Sequence, residues 1–517
     1  MSNNVPPWCR WVQGHGRHLI VAPHGGRCLD APRRATRRVN DLHTADLADE
    51  LADGLGASLI ANPMLDRNQL DLNRLSQVRH GAVWFLELLE QVLNAILERH
   101  ERAEVLFLHG WNVIQPKCDI GIGRCLPDVT AAAAHAGELT VSAPYATARL
   151  AALVAACHEA GIGAPLGTRY PARHPNNLIQ LFRRDGRAGA PPRLAAWVGA
   201  GRIDAVQLEL GVPLRWPNDL RRRFTEIAQR VFSAPPTPAA RDVAPCRRAT
   251  PAGLAPPAAL ACYDAAAQLG ISARVDALPG GRGVSGRLLL FIGERDVALF
   301  TGEDAGKQLS GGGPHFAPLA DGFRLRFAGQ LLRSDDGRRY VDLETAFAAS
   351  QLITAELDLT FARTAPHYGR VRGHVTIDGA AHDIAALGFA RPAALAGGGR
   401  AAWQAQVTLQ AAFAEREALR VEHHVPGRSE VLPLSGDARP IASLHMRFAA
   451  DPYAPAIICV DAGGETLIAE PRTHMAVERP LDGQRIARVT FGAAAFRLGE
   501  RRGVGFYEYA RALPVDR

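Results

Sequence analysis

The hydrophobic pattern of this chain changes near residue 233, and that change limits the folds that the chain can adopt. Residues 1–232 alternate short apolar runs typical of strands with longer amphipathic segments typical of helices. Residues 233–257 are rich in proline and alanine and lack periodicity, as linkers do. Short runs with a period of two fill residues 258–517. We therefore predict an α/β domain over 1–232, a linker over 233–257 and a β-rich domain over 258–517.

The individual elements follow from the same patterns. In the first part we predict strands at 18–21, 57–61, 69–72, 105–108, 178–182 and 205–210, and helices at 45–55, 78–101 and 145–160. In the second part alternation predicts strands at 286–291, 323–327, 340–344, 355–361, 373–379 and 404–409, with turns at 334–337 and 378–379. A series of this kind is typical of an antiparallel sandwich or barrel.

Composition narrows the functional classes. The net charge is +7, but the arginines are spread along the chain without a concentrated basic arm, which argues against nucleic-acid binding. No run of about eighteen apolar residues is present, so no membrane span is predicted. The eight cysteines form no CxxC pair and no signal-peptide core follows Met1, which favours reduced thiols in a cytoplasmic protein. Gly121 and Gly123 lack the other residues of a phosphate-binding loop.

Two histidines lie at the ends of predicted strands. His24 is in the turn after strand 18–21, and His109 directly follows strand 105–108. If these strands are parallel neighbours, their carboxyl ends share one edge of the sheet, where ligands and catalytic groups collect. Two imidazoles at that edge make a candidate metal site.

Glu209 is the candidate general base. It lies on the polar side of strand 205–210, because Val206, Leu208 and Leu210 point the other way. A glutamate held there can accept a proton from a metal-bound water. The alternative is a solvent-facing glutamate on an edge strand, which is the more common case.

Three further segments are candidates for substrate binding, and each has a structural alternative. Asn73 and Arg74 could bind a carboxylate or end a turn with a solvated arginine. Asp119 could orient a ligand or cap a turn. The segment 168–177 is a substrate loop or an ordinary surface loop. Its donors are Arg169, Arg173 and His174.

The order of these motifs resembles that of the N-formylglutamate amidohydrolases over residues 15–232. The motifs are Pro23-His24-Gly25-Gly26, Thr44-Ala45-Asp46, Asp71-Leu72-Asn73-Arg74, His109-Gly110 and Gln207-Leu208-Glu209. Because that family is similar to the zinc carboxypeptidases, the resemblance implies a mixed sheet flanked by helices and one zinc ion per chain. It further implies that His24 and His109 are metal ligands, that Asn73 and Arg74 bind the substrate carboxylate, and that Glu209 promotes attack by a metal-bound water.

The chain departs from these patterns at two positions. The wider carboxypeptidase pattern has an acidic ligand three residues after the first histidine, where this chain has Arg27. We therefore take Asp46 as the candidate third ligand, with Glu50 as the alternative, although either could be an ordinary charge near a helix start. The amidohydrolases usually have His-Ser where this chain has His109-Gly110.

The second part resembles lipocalin-like domains related to carotenoid 1,2-hydratases. The resemblance lies in residues 370–389, and it implies a binding or packing role, because residues 388–392 keep neither the acid nor the histidine of that family.

Two candidate functions follow from the two parts of the chain. The first is a zinc-dependent amidohydrolase, not peptide-specific, for an N-acyl amino acid or another small carboxylate-bearing substrate. The second is a non-catalytic two-domain protein with a degenerate metal site, whose β-domain binds an apolar small molecule. The oligomeric state is not predicted.

Overall fold

The structure, a computed structural model, describes residues 5–26, 38–186, 190–235, 258–278, 283–305, 309, 312–365, 367–392, 405–414, 417–425, 429–433, 439–448, 455–462, 464–480 and 485–514. These residues fall into two compact units, one up to residue 235 and the other from residue 258. Arg27 and residues 236–257 of the predicted linker lie outside the described residues. Among the helices that are described, none combines the length and the apolar character needed to cross a membrane.

The described residues of the first unit contain a six-stranded mixed sheet. Its strands are β1 (Arg10–Val12), β2 (His18–Ala22), β3 (Ser58–Ala61), β4 (Ala103–Trp111), β5 (Cys118–Gly121) and β6 (Ile203–Gly211). Their order is β1-β3-β2-β4-β6-β5, with β2, β3, β4 and β6 parallel and with β1 and β5 antiparallel at the two edges. The predicted α/β class of this part is confirmed.

Helices cover both faces of this sheet. They are α1 (Thr44–Leu55), α2 (Leu75–Gly81), α3 (Val83–Leu97), α4 (Ala143–Tyr145), α5 (Ala151–Glu159), α6 (Pro192–Gly199) and α7 (Asp219–Ser233), with a π-helical turn (Ala146–Leu150) joining α4 to α5. Leu106, Leu108 and Leu208 belong to the core beneath α1, α5 and α7, whereas Val105 and Phe107 belong to the core beneath α3 and α6. Strands buried on both faces are apolar along their length, which is why these runs stand out in the sequence.

Two predicted elements of the first unit are wrong in part. The helix predicted at 78–101 is two helices, α2 and α3, because Ala82 between them has non-helical backbone angles (φ −148°, ψ 46°). Residues 69–72 form turns in place of a strand, with the N–H groups of Gln69 and Leu70 both donating to the Asp66 carbonyl (2.9 and 3.2 Å). Hydrophobic periodicity alone does not register such backbone breaks.

Two further predicted strands are short helices. Residues 178–182 form a 3-10 helix (Leu178–Phe182), since the Asn177 side chain accepts a hydrogen bond from the N–H of Ile179 and starts a helical turn. Residues 340–344 lead into α8 (Leu343–Ala349), which the Asp342 side chain caps in the same way. A run of about five apolar residues fits either structure, and the capping side chain before it decides between them.

The second unit is built from antiparallel strands. Its described strands are β7 (Ala258–Asp264), β8 (Leu269–Ala277), β9 (Val284–Ile292), β10 (Asp296–Asp304), β11 (His315–Leu319), β12 (Gly322–Ser334), β13 (Gln351–Ala365), β14 (Tyr368–Ile377), β15 (Ala380–Pro392), β16 (Ala405–Ala414), β17 (Glu417–Val425), β18 (Ser429–Pro433), β19 (Arg439–Pro440), β20 (Ser443–Phe448), β21 (Pro455–Ala462), β22 (Glu465–Pro471), β23 (Met475–Pro480), β24 (Arg485–Leu498) and β25 (Arg501–Pro514). Strands β7 to β15 form one sheet, and β16 to β25 form another.

The first of these sheets is closed. Its order is β10-β9-β8-β7-β15-β14-β13-β12-β11, and β10 also pairs with β12, so that eight strands form a ring. The predicted turn at 378–379 joins β14 to β15, and both of its residues have positive φ (Asp378 47°, Gly379 83°). Two such residues make the tight hairpin turn that the Asp-Gly sequence favours. The predicted all-β, lipocalin-like class of this part is confirmed.

Candidate metal centre

The structure brings His24 and His109 together. β2 and β4 are parallel neighbours, and the two imidazole rings, both buried, have centroids 5.0 Å apart. Gly25, directly after His24, allows this turn to pack against α1, because a Cβ on Gly25 would lie 2.6 Å from the Cβ of Ala45. The shared edge expected from the strand order is therefore present.

Asp41 is the third member of the group. One of its oxygens, Oδ2, lies 3.2 Å from Nδ1 of His24 and 3.2 Å from Nδ1 of His109. The three residues are buried, and each offers a ligand atom within 4.8 Å of the others. Asp41 is held in place by its backbone, since its N–H donates to the His24 carbonyl (2.8 Å) and its carbonyl accepts from the Thr44 hydroxyl (2.7 Å).

Neither of the two candidate ligands on α1, Asp46 and Glu50, joins this group, contrary to the role suggested for Asp46. The Asp46 side chain is 63% exposed and binds Nδ1 of His43 at 3.0 Å, and Glu50 pairs with Arg221 at 2.6 Å. Both point outward because α1 turns its apolar residues toward the sheet. Asp41, just before the helix, lies where Asp46 was expected. Arg27, which prompted the search for another ligand, is outside the described residues.

Arg67 helps to keep the Asp41 carboxylate ionised. Its Nη1 lies 3.0 Å from Oδ1 of Asp41. Burial alone would raise the pKa of Asp41, but Arg67 and the hydrogen bonds from His109 and His24 outweigh burial and hold that pKa well below its usual value. Asp41 is therefore an ionised carboxylate at neutral pH, facing two imidazoles.

Asp71, from the Asp71-Leu72-Asn73-Arg74 motif, orients His24. Its Oδ1 lies 2.7 Å from Nε2 of His24, which leaves Nδ1 of that ring directed toward Asp41. Burial opposes ionisation of Asp71, but its bond to His24 and the charge of Arg67 hold its pKa below the usual range. A carboxylate on the far nitrogen of a histidine is the usual way in which proteins fix a metal-binding ring.

These residues fit a metal ion. Two imidazole nitrogens and a carboxylate oxygen are a donor set that zinc accepts. Nδ1 of His109 faces Asp41 at 3.2 Å, and Nε2 of the same ring is buried and has no hydrogen-bond partner among the described residues.

Glu209 lies beside His109. The two residues are register partners on the parallel strands β4 and β6, and they share the sheet face of Phe107 because side chains alternate along a strand. β6 lies between β4 and β5, and Glu209 is only 7% exposed, which rules out the solvent-facing alternative. Burial raises the pKa of Glu209 to about 7. Gln207 donates to its Oε1 at 2.7 Å.

Asp119 anchors the loop predicted to bind substrate. It is the register partner of Glu209 on β5, and its carboxylate accepts hydrogen bonds from the backbone N–H groups of residues 168–170 at 2.6 to 2.9 Å. Burial nevertheless leaves its pKa raised. Arg169 and Arg173 on this loop are exposed. Asp119 thus supports the loop through its backbone.

A polar cleft of about 510 Å³ adjoins the centre. Its lining residues are Arg38, Arg67, Asn68, Asp71, Arg74, Gln77, His174 and Asn176. Arg74 and His174 were candidates from the sequence, whereas Arg38 and Arg67 were missed because no motif surrounds them. Neither Arg169 nor Arg173 lines this cleft.

Asn73 does not line the cleft either. Its side-chain oxygen accepts a hydrogen bond from the N–H of Leu178 at 3.3 Å, which connects Asn73 to the 3-10 helix at 178–182.

Comparisons with known proteins give distant structural neighbours. No family model and no curated protein matches the chain. N-formylglutamate amidohydrolase from Ralstonia eutropha JMP134 aligns with 43% of this chain and 96% of its own, at 15% identity and a TM-score of 0.30. Kievitone hydratase from Nectria haematococca aligns with 51% of this chain and 90% of its own, at 9% identity and a TM-score of 0.28. A structure of CghA with Sch210972 aligns with 50% and 89% of the two chains, at 10% identity and a TM-score of 0.29.

Arg215 is a buried residue of the centre that sequence reasoning missed. Its guanidinium is fully buried and donates to the carbonyls of Leu42 (2.5 Å) and Leu210 (3.2 Å) and to the side chain of Asn112. Burial lowers its pKa to about 10, against the opposing charges of Asp41 and Glu209, so Arg215 remains a cation. It lies on the segment after β6, where no sequence motif marks it.

Arg215 also accounts for the glycine after His109. A Cβ on Gly110 would lie 2.8 Å from Cζ of Arg215 and 3.0 Å from Cβ of Asp41. Because both neighbours are buried and held by hydrogen bonds, they cannot retreat cheaply. A serine side chain at position 110 would not fit this arrangement.

We expect Gly110→Ala to destabilise the protein by about 1–3 kcal/mol and to weaken metal binding, because the added methyl group displaces Asp41. Thermal unfolding and zinc titration measure the two effects. Gly199→Ala is the matched control, since a Cβ there meets nothing within 4 Å. If Gly110→Ala behaved like this control, the packing of Arg215 against Gly110 would be refuted.

Proposed function

We propose that this protein is a zinc-dependent amidohydrolase that cleaves the amide bond of an N-acyl amino acid or of another small carboxylate-bearing substrate. The observation that carries the proposal is the convergence of His24, Asp41 and His109, buried, with Glu209 as the register partner of His109. A donor set of this kind beside a glutamate with a raised pKa is what metal-assisted hydrolysis requires.

The proposed ligands are His24, His109 and Asp41, with Asp71 fixing the ring of His24. Zinc bound there would lower the pKa of a water molecule and polarise the scissile carbonyl. Asp41 gives the group an acidic member although position 27 is an arginine. This favours the enzyme over the alternative of a degenerate metal site.

Glu209 is the proposed general base. Its pKa of about 7 lies near neutrality, so it can accept a proton and later release it to the leaving amine. Gln207 holds Oε1 of Glu209, and its own amide oxygen accepts from Asn177 at 3.1 Å, which fixes the orientation of the carboxylate. Oε2 is the atom left to carry the proton.

The polar cleft is the proposed carboxylate subsite. Among its lining residues, three guanidinium groups (Arg38, Arg67 and Arg74) face a single carboxylate, that of Asp71, so the lining has a surplus of positive charge. Arginine binds carboxylates through two parallel hydrogen bonds. Arg74 keeps the role implied by the resemblance. We propose that Asn73 supports the fold and does not bind substrate, because its side-chain oxygen accepts a hydrogen bond from the N–H of Leu178.

Zinc content tests the proposal. We expect the protein to bind one zinc ion per chain. We expect His24→Ala and His109→Ala to bind zinc at least about a hundredfold more weakly, because each removes a ligand from a three-residue group. Equilibrium dialysis with metal analysis measures this. His158→Ala, at an exposed histidine of α5, is the control and should retain the zinc. Zinc retained by His24→Ala would contradict the assignment.

A further inference from the structure

Asp71 touches both the metal centre and the anion cleft. Its Oδ1 lies 2.7 Å from Nε2 of His24. Its Oδ2 lies 2.9 Å from Nη1 of Arg38 and 3.6 Å from Nε of Arg74, two arginines of the cleft. The residue is buried, with 1% of its surface exposed. One carboxylate therefore serves as the counter-charge of two different sites.

Arg67 provides a second connection. Its Nη1 lies 3.0 Å from Oδ1 of Asp41, a proposed metal ligand, and its Nη2 lies 3.8 Å from Oδ2 of Asp71. Arg67 also lines the cleft. The cleft and the centre thus share a cation as well as a carboxylate.

Sharing these charges makes the two sites interdependent. An anion bound in the cleft forms ion pairs with Arg38, Arg67 and Arg74. The ion pairs that these arginines form with Asp71 and Asp41 are then weaker. The two carboxylates, less neutralised, then stabilise a dication at His24 and Asp41 more strongly. In the opposite direction, a dication repels Arg67 and makes it available to an anion. Thermodynamic linkage requires the two effects to be equal.

We propose that zinc and an anionic ligand bind this protein cooperatively, with Asp71 and Arg67 carrying the coupling between the two sites. This inference rests on the proposed metal centre. It adds a regulatory property: the metal is held most tightly while the cleft is filled, and an empty cleft favours metal loss.

Direct attraction between an anion and zinc would also produce positive coupling, and Asp71→Asn separates the two causes. The asparagine can retain an acceptor oxygen for His24 but lacks the charge that the arginines share. Attraction through space is unaffected by this change. Coupling through Asp71 is removed.

The experiment is a zinc titration of the full metal-free chain by calorimetry, with glutarate or with sodium chloride at equal ionic strength. Glutarate is a suitable probe because it has two carboxylates and no amide bond. We expect glutarate to tighten zinc binding about tenfold, and zinc to tighten glutarate binding by the same factor. In Asp71→Asn we expect this factor to fall to about threefold or less, because only the pair of Arg67 with Asp41 still connects the two sites.

A second variant guards against misfolding of Asp71→Asn. Arg38 is half exposed, so Arg38→Gln removes one bridge to Asp71 without opening the interior. We expect it to lower the coupling to less than about half of the wild-type factor, whereas Arg79→Gln, at an exposed arginine of α2, should leave it unchanged.

The outcomes are distinguishable. No zinc binding under either condition would refute the proposed function and the coupling together. Zinc binding that glutarate does not alter would refute the coupling and leave the proposed function standing. Full coupling in Asp71→Asn and in Arg38→Gln would assign it to attraction through space and overturn the role of Asp71.

Discussion

Glu209→Gln is expected to slow turnover at least about a hundredfold and, in the metal-free protein, to increase stability at alkaline pH. Glutamine keeps the size of the side chain and the bond to Gln207 but cannot accept a proton. Loss of a general base costs about a hundredfold or more in rate. We therefore expect a panel of N-acyl amino acids that the wild type hydrolyses to be hydrolysed at least about a hundredfold more slowly by the variant.

The gain in stability follows from the pKa of Glu209, which burial raises from 4.5 to about 7. The folded state therefore binds the proton more tightly than the unfolded state, so the wild type loses stability as the pH rises from about 4.5 through about 7. The linkage predicts a difference between variant and wild type of about 3 kcal/mol at pH 8 and less than about 1 kcal/mol at pH 5.

Urea unfolding of the chelator-treated protein at these two pH values measures the difference. Tryptophan fluorescence is a suitable signal, because six of the seven tryptophans precede residue 235 and thus report on the first unit. Glu87→Gln, at an exposed glutamate of α3, is the control and should change neither rate nor stability. Retained turnover in Glu209→Gln would place the chemistry elsewhere. A stability difference independent of pH would contradict the raised pKa.

Arg215→Met is expected to cause the largest loss of stability, about 3–5 kcal/mol, as for other buried charged groups whose partners are left behind. Methionine fills much of the space but donates no hydrogen bond. The carbonyls of Leu42 and Leu210 and the side chain of Asn112 would lose their donor. Asp41 and Glu209 would lose a neighbouring positive charge.

The same fluorescence-monitored unfolding measures this loss. Arg222→Met is the matched control, because Arg222 lies on α7 with 64% of its side chain exposed and makes surface ion pairs. Such pairs contribute about 0–1 kcal/mol, so the control should remain close to the wild type. If the two variants lost similar amounts of stability, Arg215 would have no special part in supporting the centre.

Several features could be predicted from the sequence because they depend on local pattern. The parallel strands β2, β4 and β6 each contain a run of apolar residues that belong to the cores on the two faces of the sheet, as is typical of strands buried on both faces. Their positions placed His24 and His109 at one edge and Glu209 beside them. Residues 378–379 formed the expected hairpin turn because Asp and Gly tolerate positive φ.

The misassigned elements fail for a common reason. Residues 178–182 and 340–344 carry apolar runs too short to distinguish a strand from a helical turn. The side chains of Asn177 and Asp342 decide the outcome by accepting backbone hydrogen bonds.

Asp46 was chosen as a ligand because it stands at a helix start near the right motif. The helix turns that side chain outward, a fact that depends on how α1 packs on the sheet.

By itself, the sequence determined the two kinds of domain, the four parallel strands of the first sheet, and three of the groups that meet at its edge. These properties follow from hydrophobic period and from strand ends, which act over a few residues. Only the tertiary structure decided that Asp41 completes the candidate metal centre, that Arg215 packs against Gly110 beside it, and that Asp71 and Arg67 connect it to the cleft. Those contacts join residues from separate segments, and they depend on distances of about three ångströms that no local pattern encodes.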